Sequence, residues 1–278
     1  MVVDDYRSVW GASPTDVWVV GRGGAIHHFN GYAWSVVDSG TTEDLTSVHG
    51  TGPNDAWAAG LDGNVLRWNG QAWNVVSHVD GTMLLGVWNS GPADVWAVGI
   101  GAGGLGYFRR WDGASWRDGD VGYGFSLWRV WGSGPDDIWM VGGNSENAGI
   151  VFHGNESRLE QVAFDGTALR GVWGSGPNDV WVAPYQGAIQ HWDGSTWMPA
   201  TSATAVGTLL GMGGSGAQDV WAVGLNGLVL HYDGRAWSAT PCQSADVLWS
   251  VWGPAPNTAW IVGANATVLH WNGSAWLR

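Results

Sequence analysis

The sequence predicts an all-β protein, a seven-bladed β-propeller of four-stranded antiparallel blades whose ring is closed by its two termini. Three observations predict it. An Asp-Val-Trp phrase or a variant of it (Thr258 replaces the Asp in the last copy) recurs seven times, short apolar segments are cut by Gly-rich turns, and no stretch shows helical periodicity. The Trp of the phrase stands at Trp18, Trp57, Trp96, Trp139, Trp181, Trp221 and Trp260, at spacings of 39, 39, 43, 42, 40 and 39 residues. Seven such copies fill the 278 residues and leave no room for another domain.

The sixth copy, residues 209–247, shows the four predicted strands in order. The first is the segment that reads Val-Trp-Gly in most copies, as at Val172-Trp173-Gly174. The second is Asp-Val-Trp-Ala-Val-Gly. The third ends in an aromatic residue followed by Asn-Gly or Asp-Gly, and the fourth begins at a Trp three residues later. Each segment is four to seven residues long and rich in Val, Ile and Trp, which suits a strand and is too short for a helix. The Asn-Gly and Asp-Gly pairs predict tight hairpin turns with positive φ, for instance at Asn30-Gly31 and Asp233-Gly234.

The copies run over residues 6–44, 45–83, 84–126, 127–168, 169–208, 209–247 and 248–278, the last completed by residues 1–5. Val2-Val3-Asp4 echoes Val36-Val37-Asp38, the end of a fourth strand. The two termini are therefore expected to finish the outer strand of blade seven together, hiding an edge that would invite aggregation. A chain that starts and stops at repeat boundaries would also suit a module taken from, or selected within, a larger protein.

Of the 24 Trp residues, 22 fall at four recurring places and are expected to fill the widening wedges between blades. Trp128 and Trp249 stand apart, two residues before the Val of the first strand. Equivalent residues elsewhere are Arg7, Thr46, Leu85, Arg170 and Leu210. The next position is small in six copies, which lets first strands crowd the axis; Arg129 is the exception.

Composition removes several functional classes. The chain has 11 Arg, no Lys, 20 Asp and 4 Glu, for a net charge of −13, which argues against nucleic-acid binding. No apolar run is long enough for a membrane helix, and no signal peptide is visible. One Cys excludes an internal disulfide and multi-Cys metal sites, and the absence of Lys excludes Schiff-base chemistry. His28, His191, His231 and His270 share one register, which spreads them round a ring; each is expected to be neutral and bonded to backbone or to a neighbouring blade. No cofactor or metal is expected. No nucleophile or zincin motif appears, and the 20 Asp residues are mostly repeated turn residues, so no catalysis is expected either.

Propeller topology sends the loops to two faces. The turns before the second strand and after the third are nearly uniform, and Asp16, Asp55, Asp94, Asp137, Asp179 and Asp219 are expected to bond turn backbone there. The opposite face carries the variable loops, around residues 21–24, 100–106, 142–148 and 184–187. Variable loops on a rigid scaffold are where binding is expected. The candidate ligand-binding residues are thus Trp128, Trp249, Arg7, Arg170, Arg129 and Tyr185, aromatic platforms beside polar anchors. Blade four also departs from the pattern. Phe152-His153-Gly154-Asn155 replaces the usual turn, no Trp follows, and Glu146, Glu156 and Glu160 cluster there, as drift on an outer strand or as a partner surface.

Val-Trp-Gly-Ser-Gly-Pro-Asn-Asp-Val-Trp-Val-Ala, residues 172–183, resembles tandem propeller repeats of secreted and surface proteins from GC-rich bacteria. Residues 219–237, Asp-Val-Trp-Ala-Val-Gly-Leu-Asn-Gly-Leu-Val-Leu-His-Tyr-Asp-Gly-Arg-Ala-Trp, resemble the repeat of seven-bladed bacterial propeller lectins and, more loosely, tectonin repeats. The resemblance implies a non-catalytic carbohydrate-binding propeller, extracellular or at the cell surface, a monomer or weak oligomer with glycans as partners. The other expectation is a protein-protein interaction scaffold with a protein partner.

Overall fold

The structure, a computed structural model, describes residues 5–200 and 207–278. Among them lie seven four-stranded antiparallel sheets, each ordered first to fourth as the chain runs. Blade one comprises Tyr6–Ser13, Asp16–Gly21, Ile26–Phe29 and Trp34–Val36. The remaining blades span residues 45–77, 83–123, 125–162, 169–199, 209–239 and 248–277. The first strands contact one another all the way round, and Leu248–Ala255 of blade seven meets Tyr6–Ser13 of blade one. The Val9 N–H donates to Ser250 Oγ across that joint at 3.4 Å, as Val48 and Val87 donate to Ser8 and Ser47 at 3.1 Å. The small residues expected at the axis therefore also stitch blades together wherever they are Ser. The expected contribution of Val2, Val3 and Asp4 to the outer strand lies outside the described residues.

The second-strand Trp residues are the core. Trp18, Trp57, Trp96, Trp139, Trp181, Trp221 and Trp260 are all buried. Six of them are clamped by two aromatic rings of the next blade. Trp139, for example, meets Trp192 at 5.5 Å and Trp197, edge-on, at 5.7 Å. Trp260 meets Phe29 and Trp34 of blade one and so carries the clamp across the ring closure. Each buried aromatic removes roughly 150–250 Å² from water, so this repeated contact is the main adhesive between blades.

The first-strand Trp follows a second rule: it lies over the Gly that ends Val-Trp-Gly in the next blade. A Cβ on Gly50, Gly132, Gly174 or Gly11 would fall 2.6–2.8 Å from the ring of Trp10, Trp88, Trp131 or Trp252. Blade two has His49 in place of the Trp, and blade three has Asn89 in place of the Gly. The two side chains join through a 2.7 Å hydrogen bond. Blade six has Gly213, and a Cβ there would stand 2.3 Å from the Val251 carbonyl oxygen. Where the ring is missing, the strands of blades six and seven approach closely.

The hairpin after the third strand differs from the tight turn expected. Phe29 pairs with Trp34, which leaves a four-residue loop. Gly31 takes φ 90°, while Asn30 caps the loop by accepting the N–H groups of Tyr32 and Ala33 at 3.0 Å. Asn155 of blade four does the same for Ser157 and Arg158, so the altered sequence keeps the turn chemistry.

Candidate functional site at the mouth of the central channel

The repeated Asp residues on the uniform face hold mostly side chains; the turn-backbone bond expected of them is present at Asp137, from Ser133. Asp179 accepts from His191 Nε2 at 2.6 Å, from Trp181 Nε1 at 3.1 Å and from the Ser175 hydroxyl. His191 in turn stacks on Trp181 with ring centres 4.1 Å apart. The same stack occurs at His28, His153, His231 and His270. Arg67 and Arg110 take the place of the imidazole over Trp57 and Trp96. The His residues therefore bind within their own blade, not to backbone or to a neighbour. Burial opposes ionisation of Asp137, Asp179 and Asp219, but the bonds from His and Ser outweigh it and hold all three below the ordinary carboxylate range. These bonds make the uniform face a structural network that repeats from blade to blade. No group of three or more His, Cys, Asp and Glu able to hold a metal occurs among the described residues.

Blade four's departure is also absorbed by structure. Its Gly154 and Leu159 occupy the places of the aromatic clamp, and Glu156 at the turn receives Arg110 and Arg117 of blade three instead. Burial works against the Glu156 carboxylate, and the two guanidinium groups still keep it below its usual range. Glu160 pairs with Arg158 at 2.8 Å.

The variable-face end of the first strands is built differently. The pairing register slips by one residue at the same place in every blade. Tyr6 pairs with Gly21 and Ser8 with Val20, and Arg7 is left unpaired. The same bulge leaves out Thr46, Leu85, Trp128, Arg170, Leu210 and Trp249. A bulge re-aims the extra side chain. Here it turns seven residues toward one opening on the axis. The second-strand residue opposite the bulge is Gly in six blades and Pro184 in blade five. A Cβ on Gly99 or Gly142 would lie 1.8 Å from the carbonyl oxygen of Met83 or Ser126 at the start of the first strand, so Gly at these two positions lets the incoming chain pass that close.

Going round the opening, the bulged residues are Arg7, Thr46, Leu85, Trp128, Arg170, Leu210 and Trp249. Two Arg-Trp pairs form, each between consecutive blades. Arg170 lies over Trp128 with its guanidinium carbon 3.6 Å from the ring centre, and Arg7 lies over Trp249 at 4.5 Å. Tyr185 joins from its loop, 5.5 Å from Arg170. Arg129 reaches in from the next position of blade four. Its Nη1 donates to the carbonyls of Leu85 and Trp128, both at 2.9 Å. All six residues named from the sequence thus meet at one place.

Two small cavities share this rim. One of about 70 Å³ is walled by Leu85, Trp128, Arg129, Arg170, Leu210 and Trp249. A second of about 240 Å³ lies beside it, where Arg7, Thr46 and Asp44 complete the wall. Below, the channel encloses about 200 Å³ and is lined by the first strands, with Ser8, Ser47, Ser250 and His49 beside Arg129, Met212 and the first-strand Trp residues. Burial, then the nearby charges of Arg170 and Arg7, lower Arg129 to about 10, so it remains a cation at neutral pH. Burial also lowers Arg170. Among the described residues Asp44 is the only carboxylate on this wall, and it is engaged with the Gly23 N–H at 2.8 Å.

Sequence reasoning missed Thr46, Leu85, Leu210, Leu61 and Asp44 as wall residues. The first three share the diverse register that singled out the Trp pair, and that signal could have included them. Asp44 had no signal, because its place follows from the path of the blade one to blade two connection.

No protein-family model matches the chain, and no curated protein matches it. Solved structures do. The chain is similar to YCF48 from Cyanidioschyzon merolae, with TM-score 0.74, 15% identity, 97% of this chain and 95% of that one covered. A YCF48 bound to a D1 peptide gives TM-score 0.73 at 16% identity, covering 97% and 93%. A catalytically inactive virginiamycin B lyase from Staphylococcus aureus, with quinupristin, gives TM-score 0.81 at 11% identity, covering 96% and 94%. The WD40 propeller domain of Doa1 gives 0.74 at 13% identity, covering 95% and 92%. At these identities the likeness is one of fold: the chain is a seven-bladed propeller of four-stranded blades.

Proposed function

We propose that the protein is a non-catalytic protein-interaction propeller that docks a peptide segment of a partner over the channel mouth on its variable face. The observation that carries this reading is the convergence of Arg7, Arg129 and Arg170 with Trp128 and Trp249 at the seven bulges. These are the residue types that dominate binding energy at protein interfaces. They stand on strand ends fixed by the ring, so little order is lost on binding. Two of the structurally similar propellers support the reading by what they are described with or as, a YCF48 with a D1 peptide and a WD40 domain.

The lectin reading keeps one supporting observation, the two Trp rings at the mouth. A sugar would need a free ring face, and each ring already carries a guanidinium, at 3.6 Å on Trp128 and 4.5 Å on Trp249. That favours a partner that engages the cations as well as the rings.

Selection from a displayed random-peptide library, run beside a glycan array, separates the two readings. The expected result is enriched peptides that lose at least tenfold affinity on Trp249→Ala, with an empty array. Glycan binding that is lost on Trp249→Ala, with no peptide enriched, would replace this reading by the lectin one.

A further inference from the structure

We infer that Arg7, Arg129 and Arg170 form a carboxylate socket in the channel mouth, which receives an acidic side chain or the terminal carboxylate of the docked segment. This rests on the docking reading above and adds the chemistry that recognises the segment. The first ground is charge pairing. Arg67, Arg109 and Arg110, which are buried or half-buried, each have an Asp within 4 Å, at 3.8, 3.1 and 2.8 Å. Among the described residues no carboxylate lies within 4 Å of Arg7, Arg129 or Arg170, although the chain carries 24 acidic residues against 11 Arg. Three like charges have been brought around one opening in an acidic protein, and the carboxylate on its wall, Asp44, is turned to the Gly23 N–H and lies beyond 4 Å of all three.

The second ground is geometry. Arg129 replaces the small residue found there in the other six blades, and both its protein bonds are made by one nitrogen, Nη1. That fixes the guanidinium plane and leaves Nε and Nη2 without a protein acceptor among the described residues. Arg170 Nε is likewise shielded from water and has no acceptor. A carboxylate answers such donors well, because its two oxygens match the fork of a guanidinium. Leu85, Leu210 and the Trp rings lower the local dielectric, so an ion pair formed here is screened less than one on the open surface. The mutual repulsion of the three guanidinium groups would be relieved by an anion bound among them.

The test uses side-chain NMR of the 11 Arg Nε–H groups in the whole protein, titrated with acetate and, in parallel, with neutral acetamide. Acetate should give saturable shifts at Arg7, Arg129 and Arg170 and none at Arg22 or Arg235. Its affinity should fall at least tenfold in Arg129→Met, and also in Arg7→Gln, which sits at the outer rim and guards against a folding defect in the first variant. Capped Gly-Asp-Gly and N-acetylated triglycine with a free C-terminus then tell which carboxylate source binds tighter. Acetate shifts no larger than those of acetamide, or equal affinity in both variants, would overturn the socket. Selected peptides that still bind in that event leave the docking reading standing; acetate binding without any selected peptide leaves the socket standing alone.

Discussion

Arg170 of blade five lies flat on Trp128 of blade four, with its guanidinium carbon 3.6 Å from the ring centre. The pair joins two bulged residues, so it belongs to no ladder and carries little of the sheet. Its removal should cost binding more than folding. Trp128→Ala is expected to lower stability far less than Trp139→Ala, whose ring is fully buried and clamped by two others. For Trp139→Ala the loss should be about 3–5 kcal/mol. Urea unfolding of both variants checks the contrast, and equal losses would make Trp128 a core residue.

The rule that each first-strand Trp covers a Gly of the next blade predicts coupled substitutions. His49→Trp alone should destabilise, because the new ring meets the side chain of Asn89. Asn89→Gly alone should also destabilise, by removing the bond to His49. The double variant should recover much of the loss, with a coupling energy on the order of 0.5–3 kcal/mol. A double-mutant cycle by denaturant unfolding measures it. Additive losses would contradict the rule.

Gly213 shows the same rule from its other side. Here the missing Trp is met by closer strands, so even Gly213→Ala should be costly. The new methyl would stand 2.3 Å from the Val251 carbonyl oxygen, which the backbone must move to admit. The expected loss is about 1–3 kcal/mol, seen as a lower unfolding midpoint at unchanged slope.

Two pH effects differ in sign of charge but act in the same direction. Burial lowers His49 from 6.5 to about 4, so the folded state keeps it neutral. The unfolded chain takes up that proton first, and stability should fall as pH drops from about 6.5 to about 4. His49→Gln should flatten that segment of the stability curve. Asp137, Asp179 and Asp219 are held below their ordinary value. Their contribution is complete above the unfolded carboxylate range and is lost as pH falls through their folded values, below the His49 window. Asp179→Asn should blunt that acid limb. Unfolding followed across pH distinguishes the two limbs.

The repeat made most of this legible from sequence. Periodic Trp, Gly and Asp residues report contacts that recur, so blade number, strand order and the two faces could be read from one chain. What escaped was contact between repeats or between side chains of one repeat. The Asp residues looked like turn formers because their His partner is twelve residues away in blades one, five and six, a separation with no local signature. The exchange of Trp-Gly for His49-Asn89 is visible only when blades are set side by side in space. The candidate residues could be named because their register is the one chemically uneven row, but nothing in the sequence marks that row as a bulge.

The central claim is that a partner segment docks at the mouth, and the affinity of a library-selected peptide for charge-altered variants tests it most directly. Arg7→Gln/Arg170→Gln should weaken the peptide at least tenfold, about 1.4 kcal/mol, with unfolding unchanged. Arg235→Gln, at a hairpin turn on the opposite face, should leave affinity as it is. An unchanged affinity in the double variant, or a loss on Arg235→Gln alone, would contradict docking at the mouth.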